Sequence, residues 1–143
     1  MSGSTYVETA ILDDDASMIG FAAGSVPAEA GAVVTFVGVV RDHDHGRGVT
    51  ELEYSAHPTA AEVLRDTVMA IAAHHGAALT IRVAHRTGLL GVGQRAFFVE
   101  VGAAHRGAAF AACGEIVEDV KRVLPIWKRQ VFSDGGEEWV NSP

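Results

Sequence analysis

Two periods of apolar residues run along this chain, and the points where one gives way to the other mark its elements. Tyr6–Leu12 is short and β-rich, and reads as a strand. Asp13–Asp15 can cap a small helix running through Phe21–Ala23, with Gly24 as its stop. Gly31–Val40 (GAVVTFVGVV) is almost wholly apolar and β-branched, the pattern of a strand buried on both faces. Arg41–Gly48 (RDHDHGRG) is polar and holds two glycines, hence a loop. Val49–Ser55 alternates Val49, Leu52 and Tyr54 against Glu51 and Glu53, as a half-buried strand does. Those two strands and the loop between them predict a β-hairpin with a long, mobile tip.

A helical period follows. Pro58 stands where a first turn begins, and Ala60–His75 carries Val63, Leu64, Val68, Ile71 and Ala72 at helical spacing before Gly76, a natural C-cap. Leu79–His85 and Arg95–Val101 are two further strands joined by Thr87–Gly93. Gly107–Leu124 predicts a second long helix with Phe110, Cys113, Val117, Val120 and Leu124 on its apolar stripe, ended by Pro125. Trp127–Phe132 and Glu138–Val140 flank Asp134-Gly135-Gly136, a hairpin signal. The predicted order β-α-β-β-α-β-β-α-β-β is that of an α+β fold with mixed and antiparallel strands and two long helices.

Composition narrows the function. The 143 residues are 48% apolar and 20% charged, which fits one folded domain spanning 1–143 and excludes a disordered chain. No apolar run approaches the roughly 18 residues that cross a bilayer, and no signal peptide is evident, so a cytoplasmic location with no membrane is expected. Net charge is −7, against general nucleic-acid binding. The charge is uneven: the first 40 residues hold five acids and no Lys or Arg, so every basic residue lies beyond them. Nine of those basic residues are Arg, which leaves Lys121 and Lys128 as candidates for amine chemistry.

Several motifs read blandly. Thr87–Gly93 (TGLLGVG) looks like a phosphate loop but leads into a strand rather than a helix, so it is expected to be a connection. His43 and His45 lie among acids on a hairpin tip that lacks the supporting shell a metal needs, and no metal site is expected. Cys113, the one cysteine, falls on an apolar helical stripe and reads as core. More informative are cations at the ends of elements. Arg41 ends a strand, His105-Arg106 stands between strand and helix, Lys121 is in a last helical turn, and Lys128 follows Pro125. A pocket for a small anionic substrate suits that set. Were 121–128 helical throughout, both lysines would share a face.

At these residues the chain resembles the catalytic (large) subunit of molybdopterin synthase. The matching stretches are FVGVVRDHDHG (Phe36–Gly46), LEYSAH (Leu52–His57), AHRTGLLGVG (Ala84–Gly93), VGAAHRGAAFAAC (Val101–Cys113), VKRVLPIWKRQ (Val120–Gln130) and DGGEEWV (Asp134–Val140). They run in the family's order from about Gly31 onward; residues 1–30 match more loosely.

The resemblance implies an α/β hammerhead fold and a homodimer within a heterotetramer. Each end would bind a small ubiquitin-like subunit whose C-terminal Gly-Gly carries a thiocarboxylate. It implies sulfur transfer from that group to cyclic pyranopterin monophosphate, making the dithiolene of molybdopterin with no metal or redox cofactor. It assigns Lys121 and Lys128 as catalytic, and Val39, Val40, Arg41, His105, Arg106, Arg129 and Gln130 as substrate-binding. Gln130 stands where the family often has Glu, and many relatives continue past the final WV with a basic tail. Two other readings compete: a non-catalytic module that binds a ubiquitin-like partner, and a stand-alone phosphate-ester hydrolase using His105.

Overall fold

The computed structural model describes residues 4–24, 27 and 29–142. Its elements in chain order are β1 (Tyr6–Leu12), α1 (Asp15–Ala22), β2 (Ala32–Val39), β3 (His43–Asp44), β4 (Arg47–Ala56), α2 (Ala60–His75), β5 (Thr80–Arg86), β6 (Gly88–Gly91), β7 (Arg95–Ala103), α3 (Arg106–Val123), β8 (Ile126–Phe132) and β9 (Glu137–Ser142). They form a mixed α+β fold with two sheets, as the pattern predicts. The first sheet has the order β1-β5-β7-β2, with β1 parallel to β5 and the other pairs antiparallel. The second has the order β3-β4-β8-β9, and β6 pairs with the other side of β4.

The two long helices lie on one face of the first sheet because each carries a single apolar stripe. Leu64, Val68 and Ile71 of α2 and Ala109, Ala112, Ile116 and Val120 of α3 are buried against Ile81, Val83, Phe97, Val99 and Val101. Each fully buried large aliphatic side chain there contributes about 1.5–3 kcal/mol. The short α1 covers part of the opposite face, placing Met18 against Ala84 and Phe98. Its start is set by Asp14, whose carboxylate accepts the Ser17 amide at 2.6 Å. A third cluster, Val40, Leu52, Leu90 and Ala96, joins the two sheets.

Four expectations change. The strand expected over Gly31–Val40 is buried on one face only: β2 is a sheet edge beyond the reach of α1, and Val33, Val37 and Val39 are exposed. It does not form a hairpin with Val49–Ser55. An irregularity at Gly38/Val39 turns the chain out of the first sheet, and β4 pairs with β8 and β6 instead. The tip between them is a tight turn rather than a long mobile loop. His45 and Gly46, both at positive φ, close β3 onto β4, and Arg47 ties that hairpin to Asp134 at 2.9 Å. Phe110 lies off the core stripe and is 64% exposed. The helix stop expected at Pro125 holds: α3 ends at Val123 and Leu124 is extended, so Lys121 and Lys128 do not share a helix.

Candidate functional site

The junction between the sheets gathers a cationic cluster from three elements. Arg41 follows the last residues of β2, where Val40 is locked by backbone bonds to Gln94 and Gly93 (3.0 and 2.9 Å) and packs with Leu52 and Leu90. Lys121 is in the last turn of α3. Lys128 is the third residue of β8, in register with Tyr54 of β4 and Val140 of β9. The charges of Lys121 and Arg41 both act on Lys128, which places the three in one electrostatic neighbourhood.

Lys128 is half-buried, and its ammonium is held below the ordinary lysine value, first by loss of water and then by those two cations. Asp44 and Glu138 oppose the shift. Asp44 Oδ1 lies 3.5 Å from the Arg41 guanidinium. Lys121 is exposed and also acts on His85, on the neighbouring strand β5.

Tyr54 and His85 form the floor. Their rings meet edge to face at 4.9 Å, and His85 also lies 5.3 Å from Phe97. His85 Nδ1 donates to the Arg86 carbonyl at 2.8 Å, which leaves Nε2 as the acceptor. Burial is the main cause that drives this imidazole down to about 4, so it is neutral at pH 7. Burial likewise pushes the Tyr54 phenol up to about 12.

The other expected site residues lie apart from this cluster to different degrees. Gln130 shares the face of β8 that carries Lys128 and is buried, with Oε1 lacking a hydrogen-bond partner among the described residues. Arg129 points to the opposite face, donating to Glu53 at 3.2 Å and Glu137 at 3.1 Å. Val39 is exposed at the sheet edge, while the Val40 side chain faces the inter-sheet cluster. His105 is the N-cap of α3 and Arg106 its first residue, both exposed. At 1.5 Å per residue they stand about 22 Å along the helix axis from Lys121. Beside His105 is a cavity of about 410 Å³, lined largely by Ala77–Thr80 and Gly102–Ala104.

Asp44, Glu138, Tyr54 and His85 are site neighbours that sequence reasoning did not assign. Asp44 was visible only as part of an acidic tip, and the strand register that sets Tyr54 beside Lys128 is not written in local pattern. Cys113 is buried in the main core, and burial raises its thiol. Among the described residues no three His, Cys, Asp or Glu converge as metal ligands, and no helix is long and apolar enough to cross a membrane.

Comparison with known proteins places these features in a family. Residues 11–123 match the model of the MoaE protein family. A molybdopterin synthase catalytic subunit of Thermoplasma volcanium is 35% identical over 136 residues, covering 95% of this chain and 98% of that protein. One of Aspergillus fumigatus is 39% identical over 115 residues, and there the match spans 80% of this chain but 61% of the longer relative. The crystal structure of molybdopterin synthase from Staphylococcus aureus superimposes with a TM-score of 0.77 at 28% identity, covering 91% of this chain and 94% of that one. With its fold and its sequence matched over most of their length, the chain belongs to the MoaE protein family, whose curated members include catalytic subunits of molybdopterin synthase.

Proposed function

We propose that this protein is the catalytic subunit of a molybdopterin synthase. It would move sulfur from the C-terminal thiocarboxylate of a small ubiquitin-like partner onto cyclic pyranopterin monophosphate. The observation that carries the reading is the convergence of Arg41, Lys121 and Lys128 at the sheet junction. Thiocarboxylate and phosphate are both anions, and a shared cationic site offsets their mutual repulsion. Forming carbon–sulfur bonds and opening the cyclic phosphate both require proton transfers. Lowering an amine's proton affinity makes it a better proton donor in such steps, and burial and the neighbouring cations lower that of Lys128. Arg41 suits the substrate phosphate, whose geometry a guanidinium matches. No residue of this chain needs to supply sulfur, since the family's donor is the partner.

His105 and Arg106 join this reading through a second copy of the chain. The edge strand β2 starts beside Ala103, next to the α3 N-terminus, and ends beside Arg95, leading to Arg41. Two copies arranged antiparallel along β2, covering Val33, Val37 and Val39, would bring one copy's His105-Arg106 toward the other's Arg41. A homodimer of this kind would account for anion-binding residues at opposite ends of one helix.

The test is incubation of the protein with a thiocarboxylated small subunit and cyclic pyranopterin monophosphate, followed by detection of the dithiolene. Product is expected with the thiocarboxylate and not with the carboxylate form. Absence of product from a folded, partner-bound protein would overturn the assignment, and phosphate release without a partner would establish the hydrolase instead.

A further inference from the structure

The tip hairpin contains one residue whose orientation departs from its neighbours. The side chains of Arg41, Asp42, His43 and His45 are 66%, 77%, 63% and 84% exposed, whereas that of Asp44 is 19% exposed. The hairpin leaves it little freedom. Asp44 is paired in register with Arg47, whose guanidinium is clamped by Asp134 and lies 3.7 Å over the Phe132 ring. The Ser133 amide donates to the Gly48 carbonyl at 2.8 Å, and a Cβ at position 48 would meet the Ser133 hydroxyl at 2.6 Å. The tip is thus seated on the β8–β9 turn, and its one inward carboxylate faces the cations.

We propose that Asp44 is a built-in stand-in anion, a carboxylate held beside Arg41 and Lys128 that an incoming phosphate or carboxylate must displace or outcompete. The inference rests on the reading of Arg41 and Lys128 as the anion site. Its geometry is the Oδ1 contact of 3.5 Å to Arg41, with His45 Nε2 at 3.8 Å on the same oxygen. Among the charges acting on Lys128, that of Asp44 is the largest, ahead of Lys121, Arg41 and Glu138. Two effects follow. With the site empty, Asp44 offsets the repulsion among three cations and helps keep Lys128 protonated. When an anion arrives, the same carboxylate opposes it, so affinity is lowered and release of an anionic product is eased.

Asp44→Asn removes the charge with little change of shape. The full chain is titrated with inorganic phosphate, and separately with acetyl-glycylglycine as a carboxylate tail, while the Lys128 ammonium is followed by NMR. We expect phosphate to bind about tenfold more tightly to Asp44→Asn than to wild type, the scale of one like charge removed from a partly exposed site. The Lys128 ammonium should titrate at lower pH in the variant. A gain confined to the carboxylate tail would assign Asp44 to the partner's end of the site, and a gain for phosphate to the substrate's end. Asp44→Ser, lacking the amide, should behave as Asp44→Asn does and guards against a variant that fails to fold. Unchanged or weaker binding of both ligands in folded variants, with no shift in the Lys128 titration, would overturn the proposal. Adding Arg41→Gln should abolish the gain. If phosphate binding ignored Arg41 altogether, the anion site itself, and the function built on it, would fall.

Discussion

His85 gives the most direct quantitative check on the site's floor. Its imidazole is 1% exposed and titrates near 4, against an ordinary value of 6.5. Between those two pH values the unfolded chain takes up a proton that the folded chain refuses. Stability therefore rises with pH through this window, is complete above about 6.5, and is lost as pH falls toward 4. At ~1.4 kcal/mol per pH unit the loss attributable to His85 is ~3 kcal/mol. Replacement by Phe keeps a flat ring between Tyr54 and Phe97 but strips the Arg86 carbonyl of its 2.8 Å donor. At pH 7.5 that should cost about 1–3 kcal/mol.

The informative quantity is the difference between the two proteins as pH is lowered. Asp14, Asp42 and Asp134, held low by hydrogen bonds, lose their contributions mainly near and below 3.8, and Glu100, raised by burial, works in the opposite sense. These carboxylates are common to wild type and variant and cancel. Urea unfolding at pH 7.5, 6.5, 5.5 and 4.5 should show wild type losing ~2–3 kcal/mol more than His85→Phe over that range. Parallel curves, or a His85 imidazole resonance titrating near 6.5 in the folded protein, would refute the assignment of a buried neutral His85.

Two further outcomes are expected. Lys128→Arg should lower dithiolene formation by about two orders of magnitude, as should Lys128→Ala, because a guanidinium keeps the charge but gives up no proton; Lys121→Arg, which keeps the charge that holds anions, should retain much of the rate, and wild-type turnover by Lys128→Arg would reduce that lysine to an electrostatic role. Cys113→Ala should leave turnover largely intact and cost about 1 kcal/mol in thermal or urea unfolding, since the thiol is packed in the main core; a folded variant that lost sulfur transfer would instead implicate a cysteine persulfide.

The elements were legible where one periodicity ran long enough to be unambiguous. Ala60–His75 and the α3 segment carry one apolar stripe each, and both fold as helices against the first sheet. Strand partners were not legible. Val49–Ser55 follows Gly31–Val40 closely enough to invite a hairpin, yet a local irregularity at Gly38/Val39 and the inward Val40 send β4 to another sheet. Nor does an apolar run reveal that it lies at a sheet edge: β2 has the composition of a doubly buried strand, and only the small size of α1 leaves half of it uncovered. The lysines could be singled out by rarity, and Arg41 by its strand end. The neighbours that set their chemistry come from strand register and from a turn, both of which depend on the assembled fold.

The assembled fold also explains why the two amines are not equivalent. A continuous helix from Lys121 to Lys128 would have presented both from one surface to the same water. Instead α3 stops at Val123, Leu124 is buried, and Pro125 hands the chain directly to β8. Lys121 thus remains at an exposed helix terminus, where its positive charge is favoured by the helix dipole. Lys128 rises from a strand between Tyr54 and Val140, where burial works against its charge. On the proposed reading the exposed amine attracts and holds anions, and the half-buried one, whose charge burial disfavours, moves the proton. The two-residue break at Leu124–Pro125, where the sequence already stops the helix, is what gives two identical side chains different surroundings.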